Sequence, residues 1–135
     1  MNSMAITGAR GYLGSNLSNF FESKGYCVYR LTRTPCSNND CEKFYNLQGV
    51  QNLDYLSGLD VLIHCAYDFK AKTIKENEKI NVEPSILLFK EARRLGVKKI
   101  IFLSTNAAFS QAQSIYGKTK FQIEEKGKEY GITTV

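Results

Sequence analysis

Short apolar runs alternate along this chain with longer stretches in which apolar residues recur every three or four positions. Residues 4–7 form the first run. They lead into a stretch that places Leu13, Leu17 and Phe20 or Phe21 on one helical face, with Gly25 as its stop. Residues 26–32 predict a second strand, 34–40 a polar loop and 43–47 a weak third strand. The nearly unbroken apolar run 59–66 predicts a strand covered on both faces. A helix is expected from about Lys72 to Leu95, with Val82, Ile86, Phe89 and Ala92 as its stripe. Pro84 cannot donate a backbone hydrogen bond, so that helix kinks or restarts near Glu83. Residues 97–105 predict strand five, and 114–130 a further helix closed by Gly131. Residues 132–135 begin another strand, which reads as a central one. Such a βαβ rhythm implies an α/β fold, a Rossmann-type doubly wound parallel sheet in three αβα layers, with residues 1–135 as one domain.

Composition narrows the partners. The 135 residues are 43% hydrophobic, enough for one core, but no run approaches the ~18 apolar residues of a membrane span. Met1 stands almost against the first strand, leaving no space for a signal peptide, so the expected location is cytoplasmic. The net charge of +5 comes from 18 basic residues interleaved with 13 acidic ones. No basic stripe with aromatic interleaving appears, which argues against nucleic acid and leaves a few cations for an anionic small ligand. Cys27, Cys36, Cys41 and Cys65 lack CxxC spacing, so reduced thiols and no metal are expected.

The first candidate chemistry is a GxxGxxG spacing, Gly8, Gly11 and Gly14, directly after a strand and before a helix. In that setting the first glycine makes the tight turn, the second admits a pyrophosphate to the backbone, and the third lets helix pack on strand. The helix N-terminus then presents free N–H groups to phosphate. Where strand two ends, an acidic residue for the ribose hydroxyls is absent and Thr32-Arg33 stand instead. Arg33, with Arg10 from the glycine loop, is positioned to neutralise a 2′-phosphate, favouring NADP over NAD; the alternative is two ordinary surface arginines. Tyr116 and Lys120 lie one helical turn apart, where an ammonium favours the phenolate and draws the phenol towards neutrality. Thr105, at the end of strand five, falls at the carboxyl edge of the sheet, placed to polarise a substrate oxygen.

Taken in order, "TGARGYLG", "DVLIHCA", Asn81, "FLST" and "YGKTK" resemble the extended short-chain dehydrogenase/reductases, specifically the NAD-dependent epimerase/dehydratase family acting on nucleotide-sugars. The resemblance covers essentially the whole chain. It implies that Gly8, Gly11 and Gly14 form the cofactor loop and that the backbone of Tyr12 and Leu13 caps the pyrophosphate. It implies Tyr116 as catalytic acid/base, Lys120 as its partner and holder of the nicotinamide ribose, and Thr105 as the active-site hydroxyl, with Ser104 a lesser claimant. Asn81 matches the asparagine that supports the fold and a proton-relay water, and Ala66 and Tyr67 match the segment along the cofactor. His64 matches a packing residue. Three departures stand out: Thr32 in place of an acid, only ten residues between Thr105 and Tyr116, and no C-terminal substrate-binding portion, as though the chain were truncated before it. The implied activity is NAD(P)-dependent hydride transfer on a nucleotide-sugar, as oxidoreductase, epimerase or dehydratase, with a homodimer possible. The alternative is a non-catalytic dinucleotide-binding module that senses redox state or binds a partner.

Overall fold

The computed structural model describes residues 2–49 and 51–135. Among these residues six parallel strands form one sheet in the order β3-β2-β1-β4-β5-β6. They are β1 Ser3–Thr7, β2 Cys27–Thr32, β3 Glu42–Phe44, β4 Val61–His64, β5 Lys99–Phe102 and β6 Thr133–Thr134. Among the described residues the α-helices are α1 Tyr12–Ser23, α2 Ile74–Asn77, α3 Glu83–Arg94 and α4 Ile115–Gly127. A wide π turn, Glu78–Val82, joins α2 to α3, and a 3₁₀ turn, Lys128–Tyr130, follows α4.

Strand alternation builds the layers. Met4 and Ile6 of β1, with Val28 and Ile63, pack under Leu17 and Phe21 of α1. Ala5, Leu31, Leu62, Ile100 and Phe102 point the other way, onto Leu88, Phe89 and Ala92 of α3 and Ile123 of α4. The three αβα layers therefore follow from the period-two pattern of the strands. Strand order reverses between β1 and β4, so the loops after these two strands part at the carboxyl edge. In such sheets this switch point is where ligands bind.

The predicted elements are found, with β4 and β5 confined to the middles of the runs 59–66 and 97–105 and with four further adjustments. β3 is shorter than expected and ends before Tyr45, whose side chain is buried all the same. The helical stretch restarts at Glu83 with Pro84 in its first turn, as proline's missing N–H requires, but the π turn just before it was not foreseen. The last helix stops at Gly127, and Gly131 closes the following 3₁₀ turn with φ +65°. β6 pairs with β5 alone and forms the edge of the described sheet, not its centre.

Candidate cofactor and active site

A cleft of about 1100 Å³ opens at the switch point, bordered by the loops after β1, β2, β3 and β4 and by α4. Its floor is the glycine turn. Gly8 takes φ +64°, and a Cβ there would stand 3.1 Å from the Ala66 backbone nitrogen, so the β1 and β4 loops touch through this residue. Gly11 is the N-cap of α1 and its amide donates to the Gly8 carbonyl (2.9 Å). Having no side chain, it leaves the first-turn amides of Tyr12, Leu13 and Gly14 to a ligand, and no acidic residue in that turn opposes an anion. A Cβ on Gly14 would sit 2.1 Å from the Gly8 carbonyl oxygen, so α1 rests directly on the turn. The spacing therefore has the steric meaning expected of it, and the cradle suits the pyrophosphate of a dinucleotide.

Arg10 and Arg33 both border the cleft beside Thr32. Arg10 donates to the Thr34 carbonyl (2.8 Å) and to Glu42 Oε2 (3.2 Å), a pairing across 32 residues that local sequence does not reveal. Glu42 also accepts from the Cys36 amide (2.6 Å). That bond first, and Arg10 second, hold its carboxyl below the ordinary value. Arg33 is exposed and has no carboxylate partner among the described residues. The buried Thr32 hydroxyl accepts from the Thr34 amide (3.2 Å) and shapes the turn.

At the other end of the cleft, Tyr116 and Lys120 share one face of α4. Lys120 is buried, and its Nζ donates to the Leu103 carbonyl (2.8 Å). That ammonium lies 4.6 Å from the Phe102 ring centroid, 5.2 Å from that of Tyr67 and 5.7 Å from that of Tyr116. Burial draws Lys120 down to about 8, with Cys65 and Glu124 acting in the opposite direction. The expected lowering of the Tyr116 phenol is not found. Burial, then Tyr67, push it above its ordinary value, while the neighbouring Thr105 side chain pulls the other way. The ring packs edge-on to Tyr67 (5.0 Å) and beneath the exposed Phe69 (5.5 Å), and the lysine's hydrogen bond goes to a carbonyl instead. Thr105, half-buried, lies beside the phenol and also accepts from the Ala107 amide (3.3 Å).

Asn81 does not reach this pair. Fully buried in the π turn, its Oδ1 accepts from the Asp68 amide (2.7 Å), and its Nδ2 donates to the Asp68 carbonyl (2.7 Å) and to Asn77 Oδ1 (3.0 Å). It clamps the loop that carries Ala66 and Tyr67 along the cleft. Asn77 in turn donates to the Tyr67 hydroxyl (2.7 Å), which also bonds Thr119 Oγ1 (2.9 Å). Asn77, Thr119, Phe69 and the cleft-lining Tyr45 to Gln48 escaped the sequence reading. Gly117 escaped as well, although a glycine inside a helix's first turn was a usable signal: a Cβ there would stand 2.3 Å from the Ala107 carbonyl oxygen.

His64 is a packing residue, as the resemblance implied. Thr7 Oγ1 accepts from the Cys65 and Ala66 amides (2.9 and 3.1 Å), so its own proton goes to His64 Nδ1 (2.7 Å). Nε2–H then donates to Ser85 Oγ (2.8 Å), which fixes the neutral tautomer. Burial first, and Lys120 second, lower His64 to about 3. A histidine depressed on folding binds its proton in the unfolded chain first, so stability is full above the unfolded value near 6.5 and falls as pH drops towards 3. Urea unfolding should therefore lose about 2 kcal/mol between roughly pH 6.5 and pH 5, at about 1.4 kcal/mol per unit. His64→Gln should flatten this dependence; an equal slope in the variant would place the effect elsewhere.

Among the described residues no cluster of three metal-ligating side chains occurs, and no helix is long and apolar enough to cross a membrane.

Known proteins share both this sequence pattern and this architecture. The sterol-4-alpha-carboxylate 3-dehydrogenase (decarboxylating) of Dictyostelium discoideum is 26% identical over 132 residues, covering 89% of this chain and 40% of that protein. The structure of MoeE5 in complex with UDP-glucose and NAD superposes with a TM-score of 0.82 at 20% identity, over 98% of this chain and 52% of that one. The UDP-N-acetylglucosamine 4-epimerase of Bacillus cereus gives 0.78 at 22% identity, over 99% of this chain and 57% of that one. The chain thus spans between two fifths and three fifths of the length of these relatives. The sequence profile of the NAD dependent epimerase/dehydratase family matches residues 4–133, and the chain belongs to that family.

Proposed function

We propose that this chain supplies the cofactor cleft and the acid/base pair of an NAD(P)-dependent enzyme acting on a nucleotide-sugar, as oxidoreductase, epimerase or dehydratase. The observation that carries the reading is that Tyr116 and Lys120 line one end of a cleft whose other end is the uncapped start of α1, with the Thr105 side chain next to Tyr116. A nicotinamide, when bound, accepts or returns a hydride at C4. The protein's part is then to orient the substrate oxygen and move its proton. The Thr105 hydroxyl bonds that oxygen, the Tyr116 phenolate takes its proton during oxidation, and the Lys120 ammonium steadies the phenolate and holds the ribose hydroxyls.

The preferred cofactor is NADP. Arg33 is exposed at the cleft beside the end of β2, with Thr32 where an acid would disfavour a 2′-phosphate. Calorimetric titration with NADPH and NADH at two salt concentrations tests this. Saturable binding is expected, with Arg33→Ala weakening NADPH by about tenfold and NADH far less. An unchanged ratio overturns the assignment of Arg33; binding of neither overturns the cofactor cleft.

A second reading is favoured by one feature. Phe69, 74% exposed, overhangs Tyr116 and offers an apolar face to a ring system, and the curated relative is named for a sterol carboxylate. Parallel assays with UDP-sugars and with 3-hydroxysteroids separate the two, since each reading expects turnover in only one series.

A further inference from the structure

The Lys120 ammonium sits in an aromatic enclosure, and no carboxylate lies within ion-pair distance of it among the described residues. The titratable groups facing it are His64 and Cys65 from the end of β4, Tyr67 from the following loop, and Tyr116 and Glu124 from α4. His64 is neutral, and burial pushes the Cys65 thiol up to about 11. Glu124 is the only carboxylate of the five. It lies one helical turn beyond Lys120, half-buried, and accepts a hydrogen bond from the Ser104 hydroxyl just past β5. Ser104 is fixed from its other side, its amide donating to the Val135 carbonyl (2.7 Å). The carboxylate is thereby tied to the strand end that carries Thr105 and kept from turning to solvent.

We propose that Glu124 is a positioning residue of the reaction centre: held by Ser104, its carboxylate is the counter-charge that keeps Lys120 protonated while fixing the strand end that bears Thr105. The inference rests on the reading of Lys120 and Thr105 as parts of that centre. The margin is narrow. Burial has already drawn Lys120 down to about 8, so losing an opposing charge removes a large share of its cation at neutral pH. The rings and the Leu103 carbonyl stabilise an ammonium through partial charges only, whereas a carboxylate across a low-dielectric enclosure acts with full charge.

The test measures the ionisation of Lys120 itself, without cofactor or substrate, so its failure is separable from failure of the proposed function. Lysine labelled with ¹³C is followed by NMR across pH, the Lys120 signal being assigned from its loss in Lys120→Arg. The wild-type midpoint is expected near 8. In Glu124→Gln it should fall by about one unit, and in Ser104→Ala, which keeps the carboxylate but frees it, by a smaller step in the same direction. A purely structural glutamate would lower the unfolding midpoint of the chain and leave the titration where it was. Unmoved midpoints in folded Glu124→Gln overturn the proposal. If that variant does not fold, an unmoved midpoint in Ser104→Ala overturns it. A shift in Glu124→Gln alone would overturn the anchoring role of Ser104.

Discussion

Gly14→Ala is expected to cost about 3 kcal/mol or more and to lower the thermal midpoint by about 10 °C or more. Alanine is the better helix former by about 1 kcal/mol, so propensity acts in the opposite direction and the loss is steric. The added Cβ would lie 2.1 Å from the Gly8 carbonyl oxygen, 2.7 Å from its carbon and 3.0 Å from the Ala9 Cα. All three are backbone atoms, which no rotamer change can move aside. Relief requires α1 to lift off the turn, opening the Met4, Ile6 and Val28 cluster beneath Leu17 and Phe21. Gly11→Ala is the control, because its Cβ would meet the Gly8 oxygen at 3.3 Å, a contact that a small shift relieves. Urea unfolding of both variants checks the ranking; equal midpoints would mean that the helix start is softer than its geometry implies.

Tyr116→Phe is expected to lower turnover by ~10²–10⁴-fold while leaving cofactor affinity within a few-fold of wild type. Phenylalanine preserves the ring that packs against Tyr67 and Phe69, so the hydroxyl alone is removed. The phenol lies above its ordinary value in the chain alone, so the acid/base role requires Lys120 to remain charged and the Thr105 side chain to stay beside the phenol. Single-turnover measurement of hydride transfer, on whichever substrate series proves active, reads the loss directly. Turnover within about threefold of wild type would remove Tyr116 from the chemistry. An equal loss in cofactor affinity and in rate would instead make it a packing residue of the cleft.

Features dictated by local sterics were legible in the sequence. Gly8 and Gly14 each answer close contacts with backbone of the same turn or of the neighbouring strand's loop, and the nearly unbroken apolar run around β4 announced a strand covered on both faces. Pro84 announced a kink or restart near Glu83 because its missing N–H cannot continue a regular helical ladder. Features set by distant partners were not legible. Arg10 and Arg33 look alike along the chain, yet Glu42 engages only the first. The Tyr116–Lys120 spacing placed both groups correctly on α4, but the sign of the phenol's displacement depends on Tyr67 and on the burial that the fold imposes. Tyr45 reads as part of a strand because it is apolar, whereas its burial comes from packing against the main core cluster beyond the end of β3. Asn81 was identified by resemblance; its grip on Asp68 came only with the π turn, which no residue type encodes.

That π turn also acts as a phase offset. Each residue added to an α-helix rotates the remainder of the rod by about 100°, and a π turn inserts such a step without ending it. Upstream of Glu78 the rod turns Asn77 towards Tyr67, while downstream it turns Leu88, Phe89 and Ala92 towards the sheet. The turn thus resets the phase of a single rod between the end whose Asn77 and Asn81 grip the rim of the cleft and the end that seals the core.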